Sequence, residues 1–215
     1  MKVIIEVGAN SGQDSIHYAS QSDSFLYAFE PVPYLGDNLI KFLNSHSISN
    51  YRLIRNAVSD TNGKAVFNIS GPDESHNYAC SSLNQFADDI GEKWGGRSDF
   101  KHIDSVEVDT IRLDTFIEGE GIEEIEYIHI DAQGSDFKVL QSLGDKIHIV
   151  KAGKCEAANT VALYKDVDNS VYSIIEWLNN NGFEITQLNN HHGESITIED
   201  LPNSTQEVDI NFKRI

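Results

Sequence analysis

Short apolar runs alternate along the chain with segments of helical periodicity. Residues 3–7 form an apolar, β-branched run that is too short for a helix. Similar strand-like runs follow at residues 25–29, 51–55, 65–69, 105–110, 125–131, 147–156, 182–186 and 207–212. Apolar residues at helical spacing predict helices near residues 16–19, 35–43, 84–93, 114–117, 135–143 and 169–181. This alternation predicts an α/β fold, with a doubly wound, mostly parallel sheet between crossover helices.

The first strand leads into a glycine turn that we expect to hold a ligand. Gly8 ends the strand and Gly12 precedes the helix, so bare backbone can approach whatever binds there. A dinucleotide fingerprint would place glycines at the first, third and sixth positions, but Asn10 and Gln13 occupy the third and sixth. An ordinary strand-to-helix turn remains the alternative.

Charge around this turn points to a cationic ligand. Glu6 and Asp14 make its mouth acidic, and no lysine or arginine lies between Lys2 and Lys41 to neutralise a phosphate. S-adenosylmethionine, which carries a sulfonium and an ammonium group, suits such a turn better than a nucleotide phosphate. A nucleotide-dependent oxidoreductase is therefore disfavoured.

Polar residues end the other predicted strands. Glu30 follows the second strand, precedes Pro31 and lies 18 residues after Gly12, near the spacing at which Rossmann-type folds place a ribose-binding acid. Asn56 and Ala57 follow the third strand, where an adenine edge would be bound. Further along, strands end at Asp131 and Glu156. Because ligands bind at the carboxyl ends of parallel strands, these residues are expected at one edge of the sheet.

Residues 70–105 lack this regular pattern. Loop composition at residues 71–77 and 95–98 encloses a short predicted helix, and a connection this long inside one domain is usually functional or disordered. We expect a single domain over residues 1–215, with a lid or substrate insertion at about 70–105. His76 and His102 lie in this segment and could reach an acceptor; a surface excursion without function is the alternative.

Composition limits the classes of protein and partner. The 215 residues carry a formal net charge of −18, with 16 basic and 34 acidic side chains, which disfavours a nucleic-acid partner. Cys80 and Cys155 make neither a disulfide framework nor a metal-type pair. The sequence shows no signal peptide and no apolar run long enough for a membrane span, so we expect a cytoplasmic protein. Its oligomeric state is not predicted.

Six segments together resemble the FkbM family of class I, S-adenosylmethionine-dependent methyltransferases. They occur in the family's order, at residues 6–13, 29–31, 56–59, 81–83, 108–114 and 130–136. The resemblance implies a seven-stranded sheet whose last strand is antiparallel, and methyl transfer usually to a hydroxyl oxygen of a sugar or small metabolite. A small-molecule or glycan acceptor is therefore expected.

The resemblance also implies site residues. The methionyl part of the cofactor would contact the turn from Gly8 to Gly12, Glu30 would bind the ribose, and Asp131 would face the reacting centre. The predicted cofactor-binding residues are Glu6, Gly8, Asn10, Gly12, Gln13, Asp14, Glu30, Pro31, Asn56, Ala57, Ser82, Asp131 and Gln133, and the candidate catalytic residues are Asp131, His129 and Glu156.

Two departures from the family pattern affect the proton-transfer groups. His129 stands where the family usually has lysine, and Gln133-Gly134-Ser135-Asp136 replaces the usual Glu-Gly-x-Glu. Asp131 could act as the base or orient the cofactor's ammonium group, whereas His129 could be a base or a buried structural residue. A divalent cation held by Asp131, Asp136 and Glu156 is considered but not favoured, and a catalytically silent binding module remains an alternative.

Overall fold

A computed structural model describes residues 1–71, 78–94, 97, 99–190, 192–203 and 207–215. The strands are β1 (Lys2–Val7), β2 (Ser24–Phe29), β3 (Tyr51–Ile54), β4 (Asn56–Val58), β5 (Gly63–Ser70), β6 (His102–Ile111), β7 (Tyr127–Ile130), β8 (Ala152–Ala158), β9 (Phe183–Asn190), β10 (Ser195–Ile196) and β11 (Glu207–Arg214). The α-helices are α1 (Ser15–Ala19), α2 (Pro33–Ser45), α3 (Ile90–Lys93), α4 (Leu113–Glu120), α5 (Asp136–Gln141) and α6 (Val171–Asn180). Two 3-10 helices span Gly144–Ile149 and Ile198–Asn203.

The central sheet has the strand order β10-β9-β11-β8-β7-β1-β2-β3. Its middle is parallel, because β1 pairs in parallel with both β2 and β7, and β8 pairs in parallel with β7. The last strand, β11, lies between β8 and β9 and is antiparallel to both. These pairings confirm the predicted doubly wound, mostly parallel sheet and its antiparallel last strand. In the described part of the chain the sheet has eight strands instead of seven, because the short edge strand β10 is added.

Both faces of the sheet are covered, and its central strands carry apolar side chains on each face. Neighbouring residues of β1 point to opposite faces: Ile4 packs in a cluster with Leu39 of α2, and Ile5 in the cluster that contains Leu140 of α5 and Ile174 of α6. Buried on both sides, such strands show the continuous apolar runs of parallel sheets. Each fully buried side chain of this size contributes about 1.5–3 kcal/mol.

A second sheet has the strand order β4-β6-β5. The sequence Asp-Thr-Asn-Gly at residues 60–63 predicts a hairpin-type turn between the flanking strands, but β4 and β5 are not paired with each other. Strand β6 lies between them, parallel to β4 and antiparallel to β5. The turn therefore connects β4 and β5, the two outer strands of this sheet, past the intervening strand β6. The sheet places β4 next to the carboxyl ends of β1 and β2.

Two other element boundaries differ from the prediction. The helix expected over 84–93 is helical only in α3, whereas Phe86 forms an isolated bridge with Tyr164. The strand expected over 147–156 begins only at Ala152, because residues 144–149 form a 3-10 helix. Both segments are apolar enough for either structure, and the tertiary contacts decide between them.

Candidate functional site

The bend after β1 is built around Gly8. Its φ is +87°, and a Cβ atom there would lie 1.9 Å from the carbonyl oxygen of Asp131. This close approach follows from the parallel pairing of β1 with β7, which brings both strand ends to the same place. The backbone N–H groups of Gly8 and Ala9 both donate to the carbonyl oxygen of Phe29, so the bend is also joined to the end of β2.

The carboxylate of Glu30 faces this bend. Its Oε2 accepts a hydrogen bond from the backbone N–H of Asn10 at 2.9 Å, and its Oε1 accepts one from the backbone N–H of Val32 at 2.8 Å. Glu30 is only 4% exposed, and burial raises its pKa to about 7 against the two hydrogen bonds that lower it. Glu30 and the glycine turn therefore lie side by side at the same edge of the sheet.

A cavity of about 260 Å³ opens between these elements. It brings together most of the predicted cofactor-binding residues: Glu6, Gly8, Asn10, Gln13, Asp14, Glu30, Pro31, Asn56, Ala57, Asp131 and Gln133. We refer to it as the cofactor cavity. Its mouth is acidic through Glu6 and Asp14, whereas Asn56 and Ala57 of β4 form the wall contributed by the second sheet.

Gly12 and Ser82 lie outside the lining of the cofactor cavity. Gly12 has a φ of +91°, and a Cβ there would lie 3.2 Å from Leu39 Cγ, so this glycine permits the close packing of the turn on α2. The Ser82 hydroxyl donates to the carbonyl oxygen of Gln133 at 2.7 Å, which fixes the turn after β7. Both residues therefore stabilise the backbone around the cavity without lining it.

The sequence did not predict the remaining residues that line the cofactor cavity, most of which are apolar. Its additional lining residues are Val7, Ala9, Phe29, Leu35, Val58, Phe67, Tyr78, Ala79, Ser81, Leu83, Ala132 and Ser135. Phe67 comes from β5, and residues 78–83 come from the segment that we interpreted as a lid. Alternation within β5 could have indicated Phe67, but its facing strand could not be identified from local pattern.

Only part of the predicted lid can be described. Residues 72–77, 95, 96 and 98, which include His76, lie outside the described residues. The His102 ring stacks on Phe86 at 4.6 Å, and its Nε2 accepts a hydrogen bond from the Phe86 backbone N–H. Neither cavity described in this section includes His102 in its lining.

A second cavity of about 210 Å³ adjoins the first. It is lined by Asp14, His129, Ile130, Asp131, Lys154, Glu156, Glu207, Val208 and Asp209. Asp14 and Asp131 line both cavities. Strand register produces this wall: His129 pairs with Lys154 between β7 and β8, and Asp209 pairs with Glu156 between β11 and β8. We refer to it as the acidic cavity.

Gln133 orients the carboxylates at the junction of the two cavities. Its Nε2 donates to Asp131 Oδ1 at 2.6 Å and lies 3.5 Å from Glu156 Oε2. Its Oε1 accepts a hydrogen bond from the Tyr164 hydroxyl at 2.8 Å. Because the amide oxygen faces Tyr164, the amide nitrogen faces the carboxylates. Gly134 permits this arrangement, because a Cβ at its φ of +83° would lie 2.4 Å from the Tyr164 ring.

The carboxyl groups at this junction are harder to ionise than solvated ones. Burial raises the pKa of Asp131. Burial, followed by the nearby Glu207 and Asp131, raises the pKa of Glu156 well above its usual value. The pKa of Glu207 is raised to about 7, chiefly by burial. Lys154 forms an ion pair with Asp209 at 3.0 Å.

Asp131, Asp136 and Glu156, which the sequence offered as ligands of a divalent cation, do not lie close enough together to act as one set of metal ligands. Among the described residues, only Glu6, Asp14 and His129 bring three such side chains to within 4.8 Å of one another. Asp136 Oδ1 instead lies 3.3 Å from the backbone nitrogens of Ala132 and Glu156, which donate to it. The sequence also predicts that Ser135 or Asp136 caps α5, but Ser135 occupies the N-cap position without making a side-chain cap hydrogen bond.

Solved structures show which class of protein has this fold. An rRNA methylase from Streptococcus thermophilus superposes with a TM-score of 0.52 at 10% identity, covering 100% of this chain and 87% of that one. M. capricolum TrmK, in complex with S-adenosyl-homocysteine (SAH), also gives a TM-score of 0.52, at 12% identity over 99% of this chain and 62% of that one. The fold is that of the class I S-adenosylmethionine-dependent methyltransferases.

Sequence comparison identifies the family. Residues 6–185 match the family described as "Methyltransferase FkbM domain". The chain belongs to the FkbM methyltransferase family. The 2-O-methyltransferase NoeI of Sinorhizobium fredii is 29% identical over 141 residues, which cover 64% of this chain and 56% of that relative. No helix in the described part of the chain is long and apolar enough to cross a membrane.

Proposed function

We propose that the protein transfers a methyl group from S-adenosylmethionine to a hydroxyl oxygen of a sugar or another small metabolite. The observation that carries this proposal is the meeting of the cofactor cavity and the acidic cavity at Asp131. Methyl transfer needs a donor and an acceptor on opposite sides of one reacting centre. The similarity to NoeI, a 2-O-methyltransferase, supports oxygen as the acceptor atom.

The cofactor cavity fits each part of the methyl donor. Both carboxylate oxygens of Glu30 are held by backbone N–H groups, which aims the acid to accept hydrogen bonds from the two ribose hydroxyls. The adenine would lie against β4, at Asn56 and Ala57, with Phe67 on the apolar side. Glu6 and Asp14 provide the negative charge that an ammonium group requires.

The acidic cavity would hold the acceptor. Held at Glu30 and at the turn after Gly8, the cofactor would supply a methyl group already activated on a sulfonium. The protein must align the oxygen and take up its proton. Carboxyl groups on β7, β8 and β11 can bind several hydroxyls of a polyhydroxylated acceptor, and the acidic wall disfavours an anionic one.

Asp131 is the group best placed to receive the acceptor's proton. It lies at the boundary of the two cavities, its pKa is raised by burial, and a base works best when its pKa approaches the working pH. Gln133 keeps the carboxylate in one orientation. Burial raises the pKa of Glu156 well above its usual value, which favours the protonated form that would donate a hydrogen bond to the acceptor.

The test is methyl transfer from labelled S-adenosylmethionine to a panel of sugars, glycans and hydroxylated metabolites. A labelled oxygen-methylated product is expected, and Asp131→Asn should lower the rate at least 100-fold. Asp145→Asn, which changes a charge in the 3-10 helix 144–149 outside both cavities, is the control and should leave the rate unchanged.

Binding of SAH, measured by calorimetry, separates the roles of Asp131. Affinity within threefold of wild type in Asp131→Asn supports the base, whereas a loss of affinity as large as the loss of rate assigns Asp131 to the cofactor's ammonium group. Tight SAH binding with no product from any acceptor would instead favour a catalytically silent binding module.

A further inference from the structure

Glu6, Asp14 and His129 form a cluster of potential metal ligands at the carboxyl ends of β1 and β7. One ligand atom from each residue lies within 4.8 Å of the other two. Glu6 and His129 are register partners on adjacent parallel strands, so the backbone itself brings them together. Asp14 approaches from the turn that precedes α1. The cluster therefore draws on two strands and a loop that the fold holds in place.

The imidazole of His129 leaves a nitrogen unpartnered in this cluster. His129 is 4% exposed, and its buried Nδ1 has no hydrogen-bond partner among the described residues. Glu6 Oε1 lies 3.8 Å from this nitrogen, beyond the range of an N–H···O hydrogen bond. Buried polar atoms are normally satisfied, so the geometry points to a further group between the imidazole and the carboxylate.

The separation of these atoms suits a metal ion. Zinc lies about 2.0–2.1 Å from histidine nitrogen and about 2.0–2.2 Å from carboxylate oxygen, so two ligands, one of each kind, on the same ion are at most about 4.3 Å apart. The 3.8 Å between Nδ1 and Oε1 falls within that limit. Ser15 donates to the other oxygen, Glu6 Oε2, at 2.5 Å, so Oε1 is the oxygen directed at the imidazole.

We propose that Glu6, Asp14 and His129 bind one divalent transition-metal ion of the zinc type. An imidazole ligand favours zinc over magnesium or calcium, and two carboxylates balance the charge of the ion. Asp14 is exposed, which gives the ion a path from solvent and leaves coordination positions open. The site shares Glu6 and Asp14 with the cofactor cavity, and Asp14 and His129 with the acidic cavity, so a bound ion and the ammonium group of the cofactor would compete for the same carboxylates. Metal binding itself requires only these three side chains and no bound acceptor.

Calorimetric titration of the metal-stripped, cofactor-free chain with Zn²⁺ tests the site. We expect one tight site per chain, with Mg²⁺ binding at least 100-fold more weakly. Asp14→Asn should weaken zinc binding at least tenfold; because Asp14 is exposed, this variant should fold normally. His129→Gln should remove the site. His17→Gln, which replaces an exposed histidine of α1, is the matched control and should bind zinc as the wild type does.

Cobalt substitution gives a second readout. Co²⁺ bound at one nitrogen and two oxygen ligands should show a d–d absorption that Asp14→Asn and His129→Gln reduce and His17→Gln preserves. Zinc affinity unchanged in Asp14→Asn, or reduced equally in His17→Gln, would overturn the proposal and leave Glu6 and His129 as a direct ion pair. Binding of SAH in the presence of EDTA reports on the cofactor cavity separately, so either proposal can fail without the other.

Discussion

Replacing Glu30 by alanine tests the assignment of the cofactor cavity most directly. In the folded protein the two carboxylate oxygens of Glu30 accept hydrogen bonds from backbone N–H groups at 2.9 and 2.8 Å, and the residue lines the cavity. Alanine removes both acceptors for the ribose hydroxyls and leaves the N–H groups of Asn10 and Val32 to water. We therefore expect weaker binding of SAH by Glu30→Ala.

The expected magnitude follows from the chemistry of the acid. Hydrogen bonds to a charged group contribute about 1.5–3 kcal/mol, which corresponds to roughly a 10- to 200-fold increase in the dissociation constant. The pKa of Glu30 is raised to about 7 by burial, so only part of it is ionised at neutral pH. The titration should therefore be made at pH 8, where the carboxylate predominates.

Isothermal titration calorimetry with SAH measures this effect. Glu118→Ala removes an exposed glutamate of α4 and should leave the affinity unchanged. Thermal unfolding of each variant shows whether the fold is intact. A folded Glu30→Ala protein that binds SAH within threefold of the wild type would refute the ribose role of Glu30.

Three further predictions concern the same edge of the sheet. Because ionised Glu30 is the better acceptor, SAH affinity should rise between pH 6 and pH 8 in the wild type, and Glu30→Gln should flatten this part of the calorimetric pH profile. Gly8→Ala should lower the free energy of unfolding by about 3 kcal/mol or more, because the residue has a positive φ and a Cβ atom would clash with the Asp131 carbonyl. Gly119→Ala, in open space in α4, is the control and should be neutral or slightly stabilising; urea unfolding measures both variants. Burial raises the pKa of Glu207 to about 7, so its contribution to stability is complete below about pH 4.5 and is lost as the pH rises through 7. Glu207→Gln should accordingly raise the free energy of unfolding by about 3 kcal/mol at pH 8.5 and hardly at all at pH 4.5; equal effects at both pH values would contradict this sign.

The cofactor cavity could be predicted from sequence because its signals are local. Gly8 and Glu30 each stand directly at the end of an apolar strand, and parallel strands bring such ends to one edge. Their meeting through the Asn10 N–H therefore required only that the sheet be parallel. The same reasoning could not reveal that Gly12 and Ser82 lie outside the cavity lining. The position of Gly12 depends on its packing against α2, and that of Ser82 on its hydrogen bond to the turn after β7.

The acidic cavity depends on long-range pairing that no local pattern discloses. Glu207 and Asp209 alternate with apolar residues at the start of β11, and this alternation indicates a strand but not its neighbours. Only the insertion of β11 between β8 and β9 places Asp209 opposite Glu156. The interpretation of residues 60–63 as a hairpin-type turn failed for the same reason, since β6 displaced the expected pairing of β4 and β5.

A glycine in a strand-end bend is commonly taken to leave room for a bound nucleotide. At Gly8 the missing side chain makes room for the protein's own backbone, the Asp131 carbonyl of the adjacent strand. A descendant of this protein that had lost its methyl donor would still have to keep that glycine in order to fold. Glu30, after β2, contributes to the fold only hydrogen bonds that water can replace, so its loss with Gly8 retained would be the mark of a relative that has kept the architecture and abandoned the proposed chemistry.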